Sequence, residues 1–200
     1  RVERGNPVGR LVHASTSADL LVIGSDHRGP GAGQRRGLHG IRIVAGAHCP
    51  VVVIPDIDLA GRHGVVVGVD GSALSERAIE FAAAEADRSG DRLTAVNAWM
   101  PVPLPSGMGA YPADYLANMQ TLAEETLAVD LAGVSQNHPD LEIHRVVERG
   151  HPETVITRLA ETARLTVVGS RGRGAIARFL LGSTSQEVLR SLVTSTAIVR

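Results

Sequence analysis

The chain has 200 residues, of which 44% are hydrophobic and 20% are charged, and its formal net charge is −1 at pH 7. This balance excludes a surface field that would attract nucleic acid or an anionic membrane, so neither is expected as a partner. All 20 lysine-plus-arginine positions are arginine, which excludes Schiff-base lysines and the lysine of Walker-type phosphate loops. The single cysteine, Cys49, cannot form an internal disulfide, and the apolar runs are too short to span a membrane, so a cytoplasmic location is predicted.

The first 55 residues of the chain resemble the last 55. When residue 1 is aligned with residue 146, RVERGNP falls on VVERGHP and DLLVIGSDHRG falls on RLTVVGSRGRG. The segment from about His63 to Arg145 has no counterpart before the first copy. We therefore predict the C-terminal half of a first domain in residues 1–56, a linker in residues 57–62 and a complete domain in residues 63–200.

Apolar segments alternate with helical patterns in the second part of the chain. Five buried strands are predicted for GVVVGVD, RLTAVNAW, LEIHRVVE, LTVVGS and STAIVR. Helices are predicted for Ser75–Arg88 and Ala113–Val134, and shorter ones after Pro152 and Ser183. The predicted buried stripe of the second helix consists of Leu116, Met119, Leu122, Leu127 and Leu131. Strands that alternate with helices favour an α/β fold, with a parallel sheet and helices on both faces.

A glycine-rich segment follows the fourth predicted strand of that domain. Gly169, Gly172 and Gly182 lie in it, and glycines allow backbone amides to approach phosphate oxygens without an intervening side chain. Arg171 and Arg173 could add positive charge. The alternative is that the glycines only permit tight turns.

The glycine-rich segment is followed by a predicted helix start. Ser183 and Thr184 each have a glutamine or glutamate three residues later, which is the pattern of a capping box. Free backbone N–H groups and the positive end of the helix dipole would form an anion site there without a lysine. The alternative is that both hydroxyls only cap the helix.

Three segments together, VVVGVDGSALSERA, VVGSRGRG and LLGSTSQEVL, resemble the universal stress protein family. Gly169, Gly172, Gly182 and Ser183 match its ATP-binding pattern G-x2-G-x9-G-[S/T]. The resemblance implies an open five-stranded parallel sheet of order 3-2-1-4-5. Such a fold is Rossmann-like, of the adenine nucleotide alpha hydrolase type, with helices on both faces.

The resemblance also implies ATP at the carboxyl edge of the sheet. Asp70 falls where the family contacts adenosine, Gly68 and Ala98 fall near the adenine, and Gly150 falls near the ribose. The other implied contacts are Ser72, Val168, Gly169, Ser170, Arg171, Gly172, Arg173, Gly174, Gly182, Ser183 and Thr184. Magnesium would accompany the phosphates, and Asp70 is a carboxylate that could contact it. Capping of the turn before Ser72 is the alternative role of Asp70.

The first copy departs from this pattern at two positions. His27 replaces the glycine that matches Gly172, and Leu38 replaces the serine that matches Ser183. A histidine side chain would crowd the loop, and leucine can neither cap a helix nor donate a hydrogen bond to phosphate. We therefore predict that the first copy does not bind ATP.

The resulting prediction is a nucleotide-dependent regulatory module of the stress response. No side chain beside the loop is placed to activate water, so ATP turnover is expected to be slow or absent. One alternative is a slow ATP hydrolase or another nucleotide-using enzyme of the same superfamily, and a second is a dimerisation scaffold that binds no nucleotide. The resemblance implies that last strands pair, so STAIVR and CPVVVIP would pair within the chain or in a homodimer.

Overall fold

The fold is an α/β sandwich built on one seven-stranded sheet. A computed structural model describes residues 2, 4–25, 38–104, 109–172 and 181–200. The helices in these ranges are α1 Pro7–Ala14, α2 Leu38–Gly46, α3 Ala73–Ser89, α4 Tyr115–Asp130, α5 Val134–Asn137, α6 Pro152–Ala160 and α7 Ser183–Ser191. The strands are β1 Leu21–Gly24, β2 Val51–Ile54, β3 Val65–Gly68, β4 Leu93–Trp99, β5 Ile143–Arg149, β6 Leu165–Gly169 and β7 Ser195–Val199.

The sheet joins the two copies of the repeat. Its strand order is β1-β2-β7-β6-β3-β4-β5. Pairing is parallel except between β2 and β7, where Val51 lies opposite Ile198 and Val53 lies opposite Thr196 in antiparallel register. The five strands after the linker are thus arranged third, second, first, fourth and fifth.

The five-stranded sheet predicted from the sequence is part of a larger sheet, which corrects that expectation. β2 and β7 are apolar strands that would each leave an edge of unpaired backbone groups, and mutual pairing satisfies those groups. The first copy contributes helix, strand, helix and strand, in the same order as α6, β6, α7 and β7.

Apolar helix faces cover both sides of the sheet. On one side, α3 packs Ala78, Ile79 and Ala82 against the strands, beside Leu127 of α4. The other side is covered by α2, α6 and α7, through residues such as Ile156 and Val188. None of the described helices is both long and apolar enough to cross a membrane.

The structure differs from the sequence-based expectations for helix α4 and for strand β5. The predicted helix over Ala113–Val134 is divided into α4 and α5, and the side chain of Leu122 is exposed while Ala123 is buried. The predicted buried stripe was drawn too wide and therefore included Leu122, whereas the helix packs through one narrow face that includes Ala123. β5 is partly exposed along its length, since it forms the edge of the sheet and has a neighbouring strand on one side.

The C-terminal residue connects the two copies. The guanidinium of Arg200 donates hydrogen bonds to the carbonyl oxygens of Val44, at 2.7 Å, and of Ala45. These carbonyls lie in the last turn of α2, where a cation also stabilises the negative end of the helix dipole. Arg77 donates to the Arg200 carbonyl at 3.1 Å. α2 is therefore attached to the segment after β7 by side-chain bonds, in addition to the packing of its apolar face.

Asp91 organises the edge of the sheet opposite the carboxyl ends of the strands. Its carboxylate accepts hydrogen bonds from Gly64 N at 3.0 Å, Ser89 Oγ at 2.9 Å and Arg164 at 3.3 Å. Burial alone would raise the pKa of Asp91. The hydrogen bonds and the charge of Arg164 outweigh burial, so the pKa lies below its usual value. The ionised form of Asp91 therefore connects the start of β3, the end of α3 and the start of β6.

We expect Asp91→Asn to lower the free energy of unfolding at neutral pH, by an amount that shrinks as the pH falls. A carboxyl whose pKa is lowered on folding stabilises the protein above its unfolded pKa, and this contribution is lost as pH falls through the folded pKa. Urea denaturation at pH 7 and at pH 3 measures the difference. Replacement of the exposed Asp140 by asparagine is the control, and an Asp91→Asn effect of equal size at both pH values would contradict the assignment.

Candidate functional site

The candidate site lies where β3 and β6 end, side by side in the sheet. α3 follows β3 and packs on one face, whereas α7 follows β6 and packs on the other. Crossovers that diverge in this way leave a crevice beyond the carboxyl ends of the strands, which is where open α/β sheets bind ligands.

Asp70 and Ser72 shape the turn between β3 and α3. Asp70 Oδ1 accepts hydrogen bonds from Ser72 N at 3.1 Å and from Ser72 Oγ at 2.6 Å. Ser72 is the N-cap of α3, and its Oγ accepts from Ser75 N at 3.2 Å. Gly71 has φ +74°, a conformation that favours glycine. One oxygen of Asp70 thus has the turn-capping role, and its direction is fixed by that turn.

The other oxygen of Asp70 lies against the glycine-rich segment. A Cβ added to Gly172 would overlap Asp70 Oδ2, and Cγ of the same carboxylate would lie 3.4 Å away. Gly172 does not have a positive φ, so the glycine is required here by the close approach of Asp70. This contact brings together the ends of β3 and β6.

The other two glycines allow the segment to pack tightly. A Cβ on Gly169 would lie 3.1 Å from the carbonyl oxygen of Leu74, and one on Gly182 would lie 3.2 Å from Cα of Arg171. Gly182 N donates to Ser170 O at 2.8 Å, and Ser170 N donates to Val199 O at 2.7 Å. The amides of Gly182 and Ser170 are therefore used within the protein and are not available to a ligand in this conformation.

Helix α7 starts beside this packed segment. Its N-cap is Gly182, with φ −64° and ψ 154°, and among the described residues no side-chain cap hydrogen bond is formed there. The prediction of a capping box at Ser183 is therefore wrong by one residue, because glycine takes the extended cap conformation. Ser183 is exposed and Thr184 is half-buried. Their N–H groups lie in the first turn, where an α-helix provides no internal carbonyl partner.

Ser185 is a site residue that sequence reasoning missed. Its buried Oγ donates a hydrogen bond to the carbonyl of Gly169 at 2.6 Å, which connects the first turn of α7 to the end of β6. A comparison of the two copies could have indicated this residue, because the first copy has Gly40 at the matching position and glycine cannot form this bond. The hydroxyl of Ser170 is also buried, and it has no hydrogen-bond partner in the part of the chain that the structure describes.

Replacing Ser185 with alanine is expected to lower the free energy of unfolding by about 1–3 kcal/mol, because the Gly169 carbonyl would lose its partner in a buried place. The effect would be seen as a lower midpoint in urea denaturation. Thr16→Ala is the matched control, since Thr16 Oγ1 also donates to a backbone carbonyl but at an exposed position. Equal losses for the two variants would contradict the role given to Ser185.

Three further predicted contacts have packing roles in this structure. A Cβ on Gly68 would lie 2.8 Å from Cδ1 of Ile156, and one on Gly150 would lie 3.1 Å from Cγ2 of Val155. Ala98 packs against the apolar cluster that includes Ile156. The absence of larger side chains at these positions is therefore explained by α6, and their contact with an adenosine stays a prediction. The side chain of Val168 is buried in the same cluster, so only its backbone could reach a ligand.

The charged side of the site is formed partly by arginines. Arg200 has a pKa lowered chiefly by burial and also by the positive charge of Arg171. Arg173, Gly174 and His27 fall outside the described residues. In the described ranges no cluster of three or more histidine, cysteine, aspartate or glutamate residues could hold a metal ion.

The doubly wound sheet, with a glycine-lined crevice at its switch point, defines an open α/β protein with a mostly parallel sheet and helices on both faces. The family described as the universal stress protein family matches residues 61–200, and the chain belongs to that family. The prediction made from the sequence motifs is confirmed.

Several relatives extend the comparison over the whole chain. A universal stress protein of Mycobacterium tuberculosis is 38% identical over 198 residues, which is 96% of this chain and 65% of the relative. One from Mycobacterium bovis is 37% identical over 196 residues, with 95% of this chain and 61% of the relative covered. The chain thus spans less than two thirds of the length of these relatives.

Solved structures show the same fold. A universal stress protein from Archaeoglobus fulgidus has a TM-score of 0.64 at 21% identity, with 98% of this chain and 66% of that chain covered. A universal stress protein solved in complex with cAMP has a TM-score of 0.52 at 27% identity, with 70% of this chain and 99% of that chain covered.

Proposed function

We propose that the chain is an ATP-binding regulatory module of the stress response in the cytoplasm, with little or no turnover. The observation that carries this proposal is the contact of Asp70 Oδ2 with the backbone at Gly172, beside the start of a helix whose N-cap is a glycine. A carboxylate, a glycine backbone and helix N–H groups that have no intrahelical acceptor meet at one crevice. Together they match the needs of a triphosphate with a divalent cation.

The phosphates would be held by the first turn of α7. The N–H groups of Ser183 and Thr184 are available there by helix geometry, and both residues also offer hydroxyl groups. Arg171 supplies positive charge from the preceding segment. The amides of Ser170 and Gly182, which are bonded internally, position this turn and do not contact phosphate.

Magnesium would be held by the phosphates together with Asp70. Mg²⁺ in nucleotide sites is usually bound by one or two carboxylates, phosphate oxygens and water, and one Asp70 carboxylate fits that pattern. Adenine as the base is supported by the relative solved with cAMP. Gly68, Ala98 and Gly150 are proposed to face the adenosine through their backbone atoms.

A second candidate is a scaffold that assembles domains without a nucleotide. The antiparallel pairing of β2 with β7 favours it, because this pairing joins the two copies through backbone bonds without any ligand. The same pairing occupies the edge of β7. A homodimer through that edge would therefore have to displace β2.

Isothermal titration calorimetry distinguishes these proposals. ATP with magnesium, GTP and cAMP are titrated into the unmodified chain and into Ser183→Leu, which introduces the residue of the first copy. Saturable ATP binding that Ser183→Leu weakens at least tenfold supports the regulatory module. A Thr121→Leu variant, altered at an exposed position of α4, is the control.

The remaining outcomes select the alternatives. Absence of ATP binding in both proteins would overturn the nucleotide proposal and favour the scaffold. Release of phosphate over many turnovers per minute would favour the hydrolase. Equal binding of GTP and ATP would contradict the assignment of adenine.

A further inference from the structure

The outer strands β1 and β2 have an apolar face that no described helix covers. Leu20, Val22 and Ile54 lie on this face and are 42%, 57% and 36% exposed. The opposite face of the same strands is covered by α2, which packs Val44 against Val51 of β2. We call Leu20, Val22 and Ile54 the β1 face.

β1 also has a free edge. Among the described strands its hydrogen-bonded neighbour is β2 alone, and Leu21 N donates to Pro50 O on that side. Backbone groups of successive residues in a strand point to opposite sides, so those of Val22 and Gly24 face away from β2. The free edge therefore offers backbone donors and acceptors to a further strand, next to the exposed β1 face.

The two edges of the sheet differ in charge. At the other edge, β5 has the exposed residues Arg145 and Arg149, and charged side chains of this kind protect an edge strand from pairing. β1 consists of the uncharged residues LVIG. An apolar edge without this protection, beside an apolar face, is typical of a surface that another segment covers.

The second copy of the repeat shows which elements cover the matching surface. The three residues that match the β1 face at a spacing of 145 are only 8%, 0% and 4% exposed, and they are Leu165, Val167 and Val199. All three belong to the apolar cluster that α3 covers with Ala78. On the side of β6 away from β7, Val167 lies opposite Val67 of β3. β3 and α3 thus cover on β6 and β7 what is exposed on β1 and β2.

The strands of the first copy have the geometry that such a cover requires. Leu21 lies opposite Val51 in parallel register, and the matching residues Thr166 and Thr196 also lie opposite each other. Val52 of β2 already packs against the cluster that α3 covers. The covered face of the sheet therefore continues as far as β2, and the β1 face is its uncovered extension.

We propose that the β1 face binds a strand–helix unit of the universal stress protein fold. The strand of this unit pairs in parallel with β1, and the helix that follows it covers Leu20, Val22 and Ile54. Its source is a half-domain similar to residues 63–145, which are 83 residues long. The relative from Mycobacterium tuberculosis has room for one, because its 198 aligned residues are 65% of its length and about 100 residues remain.

A second copy of the chain fits this surface less well. Its own β3 lies between β6 and β4, and its α3 is buried against the sheet, so it could provide the unit only by opening its own core. Pairing of two β1 strands edge to edge would satisfy the backbone groups, but no helix would then cover Val22. The β1 face is also separate from the crevice at the ends of β3 and β6, so this proposal does not depend on nucleotide binding.

The test compares the chain with a fusion that carries a copy of residues 63–145 directly before Arg1, as Arg145 precedes Val146. Both proteins carry Val22→Cys together with Cys49→Ala, so that the introduced thiol is the only one. We expect the thiol to react with a maleimide about tenfold or more slowly in the fusion, because the added helix covers it. Thr162→Cys, at an exposed position between α6 and β6, is the matched control and should react equally in both proteins.

A second fusion tests whether the helix provides the cover. It carries Ile79→Asp and Ala82→Asp in the added copy only, and the reactivity of Val22→Cys should return to that of the chain alone. Equal rates in the chain and the first fusion, or continued protection in the second, would overturn the proposal. Slow reaction in the chain alone would also overturn it, in favour of a second copy if sedimentation shows a dimer and of cover from within the chain if it shows a monomer. Circular dichroism confirms that each protein is folded.

Discussion

Replacing Gly172 with alanine is expected to weaken ATP binding by about a hundredfold, which corresponds to about 2.7 kcal/mol. The new Cβ would overlap Asp70 Oδ2. Asp70 would therefore have to turn away and give up either its bonds to Ser72 or its place in the crevice. Because Gly172 lacks a positive φ, alanine introduces no backbone strain, and the effect isolates the contact with Asp70.

Gly133→Ala is the matched control for this prediction. Gly133 has helical φ and ψ of −75° and −25°, and an added Cβ meets nothing within 4 Å. Calorimetric titration of both variants with ATP and magnesium gives the comparison. If Gly172→Ala binds ATP as tightly as Gly133→Ala does, the interlocking of Asp70 and Gly172 has no part in nucleotide binding.

Truncation of Leu127 to alanine is expected to lower the free energy of unfolding by about 2–5 kcal/mol, since it removes a buried side chain and leaves a cavity. Leu127 is 1% exposed and packs in the cluster shared with α3. Leu122→Ala, on the same helix, should change stability by less than about 0.5 kcal/mol because the site is exposed. Urea denaturation followed by circular dichroism measures both.

This pair of variants also tests the orientation of α4. Similar losses for Leu122→Ala and Leu127→Ala would mean that both side chains are buried.

The strands and the place of the glycine-rich segment could be predicted from the sequence because their signals are local. Buried parallel strands give continuous apolar runs such as LTVVG, and all five strands predicted after the linker occur near the expected places. The glycine spacing likewise predicted which segment lies beside the start of α7. To predict that β2 pairs with β7, one further inference was needed: two apolar strands at the edges of sheets require partners.

Contacts between distant segments could not be obtained in the same way. Gly68 matches a family position, yet its Cβ space is filled by Ile156, a residue 88 positions later in the chain. Ser185 looks like an ordinary helix serine until its distance to the Gly169 carbonyl is known. The capping prediction at Ser183 failed because glycine and serine both accept the N-cap position, and only the backbone conformation selects between them.

The rotation of α4 was predicted incorrectly for a related reason. Met119, Leu122 and Leu127 all suit a buried stripe by composition, but a helix on the flank of the sheet buries a narrow strip. Ala123 and Leu127 are the buried residues of that strip. Small residues give weak signals in apolar patterns, so the buried face was placed too close to Leu122.

The central claim is that the first turn of α7 and the Asp70–Gly172 contact form an ATP site. Nuclear magnetic resonance of the ¹⁵N-labelled chain tests it most directly, through the amide signals of Gly172, Ser183 and Thr184 during titration with ATP and magnesium. These three signals should move together and saturate, while that of the exposed Gly133 stays in place. Saturable binding that leaves all three amides unchanged, or no saturation at millimolar ATP, would contradict the account.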